Sequence, residues 1–137
     1  MVNISIIMPI YNTAEYIRKS IGSIQQQTYA DYELICVNDA STDDSLSILQ
    51  EIQSQDKRII IVDHEVNCGA AVSRNDGLKI AQGDYIICLD SDDYFYSNLL
   101  EDLYRQAVKY DADIVIFGSE MIEKRSHNLI QSCYKFQ

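Results

Sequence analysis

Three carboxylates, Asp90, Asp92 and Asp93, follow the apolar run Tyr85–Leu89, which has the length and the β-branched content of a buried strand. On an extended chain, residues i and i+2 project to the same side, so Asp90 and Asp92 would point together, roughly 7 Å apart at the backbone. Ionised carboxylates this close repel each other unless a cation lies between them. Their hard oxygen atoms favour Mg²⁺ or Mn²⁺ over zinc. The spacing therefore predicts a divalent-metal site, and the simpler alternative is a solvated acidic turn.

Composition narrows the kind of ligand that such a site would serve. The chain has 137 residues, 47% of them apolar, which predicts one globular domain over residues 1–137. A formal net charge of −10 argues against a nucleic-acid backbone or an anionic membrane surface as the main partner. A phosphate-bearing ligand would meet the same repulsion, and a divalent cation is the simplest way to reverse it.

Cysteine spacing and apolar runs indicate where the protein works. The four cysteines include no Cys-x-x-Cys pair, and Cys36 and Cys88 fall inside apolar strands, so we expect reduced, buried thiols in a cytoplasmic protein. The first apolar run has no basic segment ahead of it, as a signal peptide would require. No apolar stretch approaches the roughly 20 residues that span a bilayer. We therefore expect a soluble domain.

Strand-like and helix-like segments alternate along the chain. The predicted strands are Val2–Ile10, Tyr32–Val37, Ile59–Val62, Tyr85–Leu89 and Asp113–Phe117. Four helices are predicted between and after these strands. Thr13 would cap the first, and Ser41 or Thr42, ahead of Asp43 and Asp44, would cap the second. The third follows Gly69, and Asn98 with Glu101 would cap the fourth. This alternation predicts an α/β fold, a Rossmann-like, mostly parallel sheet with flanking helices.

The strand order decides which loops meet. Ligands of such sheets bind beyond the carboxyl ends of the strands, where the order reverses. If the order is 3-2-1-4, the loops after strands one, two and four adjoin one another, and their acids share a crevice. After Phe117 the chain is typical of a hairpin whose turn is Glu123–Asn128, so we divide the domain into a core, residues 1–118, and a tail, residues 119–137.

The loop after the first strand argues against the commonest nucleotide folds. It reads Pro9-Ile-Tyr-Asn12 and contains neither Gly-x-Gly-x-x-Gly nor Gly-Lys-Ser/Thr. A hydride-transfer enzyme or a phosphate-loop ATPase is therefore not favoured. The site is acidic, and it would hold a diphosphate through a metal.

Four segments together resemble the family-2 glycosyltransferases in their order and spacing. They are Ile7-Met-Pro-Ile-Tyr-Asn12, Val37-Asn-Asp-Ala-Ser-Thr-Asp43, Asn67-Cys-Gly-Ala-Ala-Val-Ser-Arg-Asn-Asp-Gly77 and Leu89-Asp-Ser-Asp-Asp93. Each alone is weakly diagnostic, whereas four in register are specific, and the resemblance covers about Val2–Gly118. It implies a GT-A fold and an inverting, metal-dependent enzyme of the hexosyltransferase type that uses a nucleotide-diphosphate sugar.

The resemblance implies that five positions outside the acidic cluster bind the donor. Pro9, Tyr11 and Asn12 would form the loop around the nucleotide base. Asp39 would accept a hydrogen bond from the uracil ring of a UDP-sugar. Arg74 would reach the diphosphate region from its helix.

The acidic cluster would then hold the cofactor. By resemblance, Asp92 would ligate the Mn²⁺ or Mg²⁺ that bridges the two phosphates, and Asp90 would lie near the ribose and share the metal site. Asp93 would be a neighbour that helps to set the site. A metal there would act as a Lewis acid on the departing diphosphate.

The acceptor side is expected outside this chain. By resemblance, the acceptor is a saccharide or a lipid-linked saccharide, and the base that deprotonates it comes from a segment later than Gln137. We therefore expect this chain, as an N-terminal portion, to bind donor without transferring sugar. The longer protein would associate peripherally with the inner face of the cell membrane. Apolar faces around Phe117, Ile122 and Ile130 predict self-association.

One departure from the family pattern concerns the loop after the second strand. Similar proteins often have Asp-Asp-Gly where this chain has Asn38, Asp39 and Ala40. Asn38 removes one negative charge. Ala40 would be strained at a positive φ that glycine tolerates. Because Asp39 is kept, we expect the turn to survive with a differently shaped base pocket.

Other interpretations of these residues stay open at this point. A phosphatase of the haloacid dehalogenase type would use Asp90 as nucleophile beside Asp92, although that motif normally follows the first strand. A non-catalytic nucleotide-binding module is the second alternative. Arg74 could simply pair with Asp76 or Asp43 at the surface. We interpret His64 as a residue at a strand end, without other potential metal ligands near it.

Overall fold

The computed structural model describes residues 2–122 and 129–133. In chain order the elements are β1 (Ile4–Ile10), α1 (Ala14–Gln25), β2 (Tyr32–Asn38), α2 (Ser45–Gln55), β3 (Ile59–Asp63), α3 (Ala70–Ile80), β4 (Tyr85–Cys88), α4 (Leu99–Tyr110), β5 (Ser119–Ile122) and β6 (Leu129–Cys133). The chain forms two compact units, Met1–Glu101 and Asp102–Gln137. All of the candidate donor-binding residues belong to the first unit.

The first unit is built on a four-stranded parallel sheet in the order β3-β2-β1-β4. This confirms the predicted α/β class and the predicted strand order. The central strands β1 and β2 are buried along almost their whole length, as expected for strands covered on both faces. The order reverses between β1 and β4, so the loops after β1, β2 and β4 lie at one edge of the sheet.

Buried and small residues shape the packing of two helices of the first unit. Helix α1 buries Ile17, Ile21 and Ile24, the apolar stripe that its sequence predicts. In α3, a Cβ at Gly77 would lie 2.6 Å from Cγ2 of Ile7 in β1. This glycine therefore permits α3 to pack closely against the sheet.

Buried polar side chains join β1, β2 and the start of β4 at the other edge of the sheet. The Ser5 hydroxyl donates to the Glu33 carboxylate at 2.6 Å, and the same Glu33 oxygen accepts the Gln82 N–H at 2.7 Å. Ser5 Oγ also accepts the N–H of Gly83 at 2.8 Å. Nothing in the sequence pattern predicted these bonds. They set the point at which β4 enters the sheet, and thus where the acids after it emerge.

Strand β4 is an edge strand, with Ile86 and Cys88 exposed. The expectation that the strand cysteines are buried is therefore right for Cys36 and wrong for Cys88. Ile86 and Cys88 alternate with the less exposed Tyr85 and Ile87, so they lie on the same face of β4, and that face is the exposed one. The thiols of Cys36, Cys68 and Cys88 are all free.

The predicted caps of α1 and α2 differ from the structure, whereas Asn98 directly precedes α4 as predicted. Thr13 does precede α1, but its side chain makes no capping bond, and α2 begins at Ser45 behind Asp44, not behind Ser41 or Thr42. The Glu101 carboxylate accepts a hydrogen bond from Thr28 Oγ1 at 2.6 Å. Side chains expected to cap helices therefore tie neighbouring loops together instead.

The second unit contains an antiparallel pair, β5 with β6, which confirms the predicted hairpin. The predicted fifth strand, Asp113–Phe117, is wrong, because it finds no pairing partner in the described residues and leaves Ile114 and Ile116 79% and 77% exposed. The predicted turn, Glu123–Asn128, lies outside the described residues, as do the side chains of Ile122 and Ile130. Self-association through these faces stays a prediction.

Candidate functional site

Asn12 joins the loop after β1 to the loop after β2. Its φ of 51° places it in the left-handed region, which asparagine tolerates better than most residues. Its Oδ1 accepts the N–H of Thr42 at 2.8 Å and that of Asp43 at 3.3 Å, and its own N–H donates to Ser41 Oγ at 3.1 Å. Asn12 thus holds two loops of the site together, a contact that its expected role in the base loop did not include.

Asp43 reinforces the same junction from the other side. One of its carboxylate oxygens accepts the N–H of Ala14, the first residue of α1, at 3.0 Å, and the other accepts that of Ser45 at 2.9 Å. Burial opposes ionisation, but the hydrogen bonds from Ser45 and Ala14 outweigh it and hold the pKa of Asp43 below its ordinary value. The Ser45 hydroxyl also accepts the N–H of Thr13 at 3.1 Å.

Pro9 and Tyr11 border this junction. The strand continues through Pro9 to Ile10, where the predicted strand Val2–Ile10 also ends. This is possible because the last pair between β1 and β4 is Ile7 with Cys88, so no neighbour on that side needs an N–H from Pro9. Tyr11 is 49% exposed. Their contact with a nucleotide base stays a prediction.

Asp39 lies at the carboxyl end of β2 and is almost completely buried. Its Oδ1 accepts the N–H of Cys68 at 2.8 Å and faces Nδ1 of His64 at 2.9 Å, and its Oδ2 accepts the N–H of Gly69 at 2.7 Å. Burial disfavours the charged form, but these hydrogen bonds outweigh it, so the pKa of Asp39 lies below its ordinary value. The ionised carboxylate therefore organises the N-terminus of α3.

The two departures beside Asp39 have a structural account. Ala40 adopts a φ of 57°, the strained conformation that the sequence predicted for it. Asn38 donates from Nδ2 to the Asp63 carboxylate of β3 at 2.7 Å, while its buried Oδ1 has no hydrogen-bond partner. An aspartate at position 38 would place two carboxylates side by side here, which explains why an amide fits.

His64 is the residue that sequence reasoning missed. Its Nδ1 faces Asp39, and its Nε2 lies 3.2 Å from Oδ2 of Asp76. The potential metal-ligand atoms of Asp39, His64 and Cys68 lie within 4.8 Å of one another. The interpretation of His64 as a residue without other potential ligands near it is therefore wrong. Asp39 directly follows β2, Asp76 lies in α3, and the other two residues lie in the loop between β3 and α3, so no sequence spacing could have predicted their contact.

The three acids after β4 stand on a tight turn. The strand ends at Cys88, and the N–H of Asp93 donates to the carbonyl of Asp90 at 3.0 Å. The expectation of an extended segment carrying Asp90 and Asp92 on one side is therefore wrong. Ser91, between the two acids, is buried, and its Oγ lies 2.8 Å from Oγ1 of Thr13. Because this contact draws Ser91 inward, the chain turns between Asp90 and Asp92.

The turn nevertheless crowds the carboxylates. Burial, and then the charges of Asp92 and Asp90, raise the pKa of Asp93 above its ordinary value. Asp90, Asp92 and Asp93 are all exposed. A set of exposed, mutually repelling carboxylate oxygens fits Mg²⁺ or Mn²⁺, which take hard oxygen ligands and keep some of their water.

Arg74 brings a positive charge to this cluster. Its Nη2 donates to Oδ1 of Asp90 at 2.6 Å, and both side chains are partly exposed. The alternative pairings are wrong, since Asp76 is engaged by His64 and Lys79, and Asp43 by the backbone of Ala14 and Ser45. The Arg74–Asp90 pair links α3 to the turn after β4.

The sequence matches glycosyl transferase family 2 over residues 5–132. The chain belongs to glycosyl transferase family 2. This membership confirms the resemblance carried by the four segments and does not favour a phosphatase of the haloacid dehalogenase type.

Two curated relatives illustrate the extent of the match. Glycosyltransferase GlyG of Streptococcus pneumoniae is 42% identical over 113 residues, which are 82% of this chain and 38% of GlyG. The poly(ribitol-phosphate) beta-glucosyltransferase of Bacillus spizizenii is 40% identical over 116 residues, which are 82% of this chain and 18% of that enzyme. The chain therefore spans less than half the length of either relative.

Solved structures share the fold of this family 2 chain. TarS of S. aureus in complex with UDP has a TM-score of 0.77 and 30% identity, covering 82% of this chain and 34% of that one. The mannosyltransferase PcManGT of Pyrobaculum calidifontis, in complex with GDP-Man and Mn²⁺, has a TM-score of 0.71 and 25% identity, covering 91% and 37%. Among the described residues, no helix is both long and apolar enough to cross a membrane.

Proposed function

We propose that this chain binds a UDP-sugar together with Mn²⁺ or Mg²⁺ and supplies the donor half of an inverting hexosyltransferase. The observation that carries the proposal is the arrangement of charge at one edge of the sheet. Asp39, Arg74 and the acids after β4 are joined there through α3. TarS, which shares the fold, is known in complexes with UDP and UDP-GlcNAc.

The base would lie over the loops after β1 and β2. In the proposed assignment Pro9, Tyr11 and Asn12 border it, and Asp39 accepts a hydrogen bond from the uracil ring. Asn12 holds these loops in place through Thr42 and Asp43, so that the base meets a preformed surface. Preformed contacts of this kind reduce the entropic cost of binding.

The diphosphate would lie between Arg74 and the acidic turn. Asp92 and Asp90 are the proposed ligands of the divalent ion, and Asp93, one residue further along the turn, adds to the local negative charge. When bound, the ion would act as a Lewis acid on the diphosphate leaving group. Arg74 would exchange part of its contact with Asp90 for a phosphate oxygen, since a guanidinium binds either anion well.

The reaction of the whole protein belongs to the same proposal. We propose transfer of the sugar to a saccharide or lipid-linked acceptor in polysaccharide synthesis, at the cytoplasmic face of the cell membrane. The acceptor-binding site and the general base would be supplied by regions that the longer relatives possess outside the matched part. On this proposal the 137 residues bind donor and do not turn it over.

Calorimetry with UDP and MnCl₂ tests the donor site. Binding should require the metal and should fall at least tenfold in Asp92→Asn, because each charge-assisted contact is worth roughly 1.5–3 kcal/mol. Asp31→Asn is the matched control, since it removes one exposed carboxylate at the opposite end of β2. Equal affinity for UDP in the presence of a chelator would contradict the proposal.

A further inference from the structure

Most hydrogen-bond acceptor positions of the Asp39 carboxylate are already used within the protein. A carboxylate offers about four lone-pair positions, two on each oxygen. Oδ1 is filled by the N–H of Cys68 and by His64, and Oδ2 accepts one bond, from the N–H of Gly69. The side chain is only 3% exposed, so a ligand can reach it over a small area. By this count one acceptor position, on Oδ2, is left for a ligand.

We propose that His64 is the positioning residue that restricts Asp39 to a single free acceptor and thereby selects the nucleotide base. This inference rests on the proposed function and deepens it. Uracil presents one ring N–H between two carbonyl groups, which matches one acceptor. Guanine presents a ring N–H beside an amino group, and this pair of donors requires both oxygens of a carboxylate.

The surroundings of His64 hold it in the blocking position. Its ring is largely buried, and its other nitrogen, Nε2, lies 3.2 Å from Oδ2 of Asp76. Asp76 is in turn bound to Lys79 at 2.6 Å, one turn further along α3. A ring held at both nitrogens cannot swing away from Asp39 without breaking the second contact. The amino group of guanine would therefore lose its acceptor.

Two purine nucleotides that differ in one group provide a direct test. Inosine diphosphate has the ring N–H alone, whereas guanosine diphosphate adds the amino group. In the unchanged protein, titrated with MnCl₂ present, the two should bind with dissociation constants within about twofold of each other. In His64→Leu, Oδ1 regains a free lone pair, so guanosine diphosphate should bind about tenfold tighter than inosine diphosphate.

Matched variants separate this role from a merely structural one. His64→Asn can place an amide N–H where Nδ1 was, so it should restore the unchanged ratio. Asp76→Asn keeps an oxygen that can accept from Nε2 of His64, so the ring should stay beside Asp39 and the ratio should remain within twofold. His64→Phe, which keeps a ring but has no donor, is the second variant if His64→Leu fails to fold, as judged by circular dichroism.

The possible results are distinguishable from those of the proposed function. The inference is overturned if the ratio of the affinities for guanosine and inosine diphosphate stays unchanged in a folded His64→Leu or His64→Phe protein. A fivefold or larger preference for guanosine diphosphate in the unchanged protein also overturns it. Failure of UDP to bind with metal, or equal binding of UDP and its N3-methyl analogue, overturns instead the proposed recognition of uracil by Asp39.

Discussion

The guanidinium of Arg74 and the carboxylate of Asp90 are joined at 2.6 Å, across the gap between α3 and the turn after β4. Arg74 thus forms an ion pair with a carboxylate that we propose as part of the metal site. The Arg74 guanidinium and a bound metal ion would compete for the Asp90 carboxylate, whereas a diphosphate would attract both. The pair therefore couples nucleotide binding to metal binding.

Arg74→Gln should change these two affinities in opposite directions. Without nucleotide, Mn²⁺ should bind more tightly, because Asp90 is released and a positive charge is removed. UDP in the presence of Mn²⁺ should bind about tenfold more weakly, since a charge-assisted contact is lost. Calorimetry with each ligand measures both effects.

Lys79→Gln is the control for the Arg74 experiment, because it removes a positive charge from the same helix at a residue that pairs with Asp76. A loss of UDP affinity in Lys79→Gln equal to that in Arg74→Gln would mean that only the general field of α3 matters.

Two glycines in helices should respond oppositely to a methyl group. Gly77→Ala should lower the free energy of unfolding by about 1–3 kcal/mol, because its Cβ would lie 2.6 Å from Cγ2 of Ile7 in a packed core. Gly22→Ala should raise it by up to about 1 kcal/mol, since nothing lies within 4 Å and alanine favours the helix. Urea denaturation measures both, and a Gly77→Ala protein as stable as the parent would contradict the close packing of α3.

Ala40→Gly should relieve backbone strain. At a φ of 57° an alanine costs about 1–2 kcal/mol, whereas the added flexibility of glycine in the unfolded chain costs roughly 0.5–1 kcal/mol. The net expectation is a free energy of unfolding that is unchanged or up to about 1.5 kcal/mol higher. Ala81→Gly, at a φ of −60°, should only destabilise and serves as the control. A clear loss of stability in Ala40→Gly would show that the strain is not there.

Asp39 should make stability depend on pH in the acid range. Its pKa is lower in the folded protein than the unfolded value of about 3.9, so the ionised group stabilises the fold fully above that value and loses its effect as the pH falls through the folded pKa. Asp39→Asn should lower the free energy of unfolding by about 1–3 kcal/mol at pH 7. The gap to the parent should narrow below about pH 4.

Urea denaturation at a series of pH values tests this expectation, with Asp31→Asn as a surface control. A gap between Asp39→Asn and the parent that stays constant down to about pH 2 would mean that the carboxylate charge is not what holds Cys68 and Gly69.

Local sequence patterns determined the elements of the first unit and the residues at their ends. Apolar runs of strand length and stripes of helical period specify structure over a few residues, and the polar loops between them lie where strand ends must. Asp39, Arg74 and the acids after β4 could therefore be placed at one edge of the sheet. The special backbone of Ala40 followed equally from local stereochemistry.

Contacts between distant segments were decided only by the tertiary structure. The sequence offered Asp76 or Asp43 as ion-pair partners of Arg74, whereas in the structure Arg74 pairs with Asp90. The turn of the acidic cluster depends on a hydroxyl 78 residues away, that of Thr13 against Ser91. His64 meets Asp39 because parallel strands bring their carboxyl ends to one edge of the sheet. Such pairings depend on the relative placement of elements, which no period or spacing in a single chain encodes.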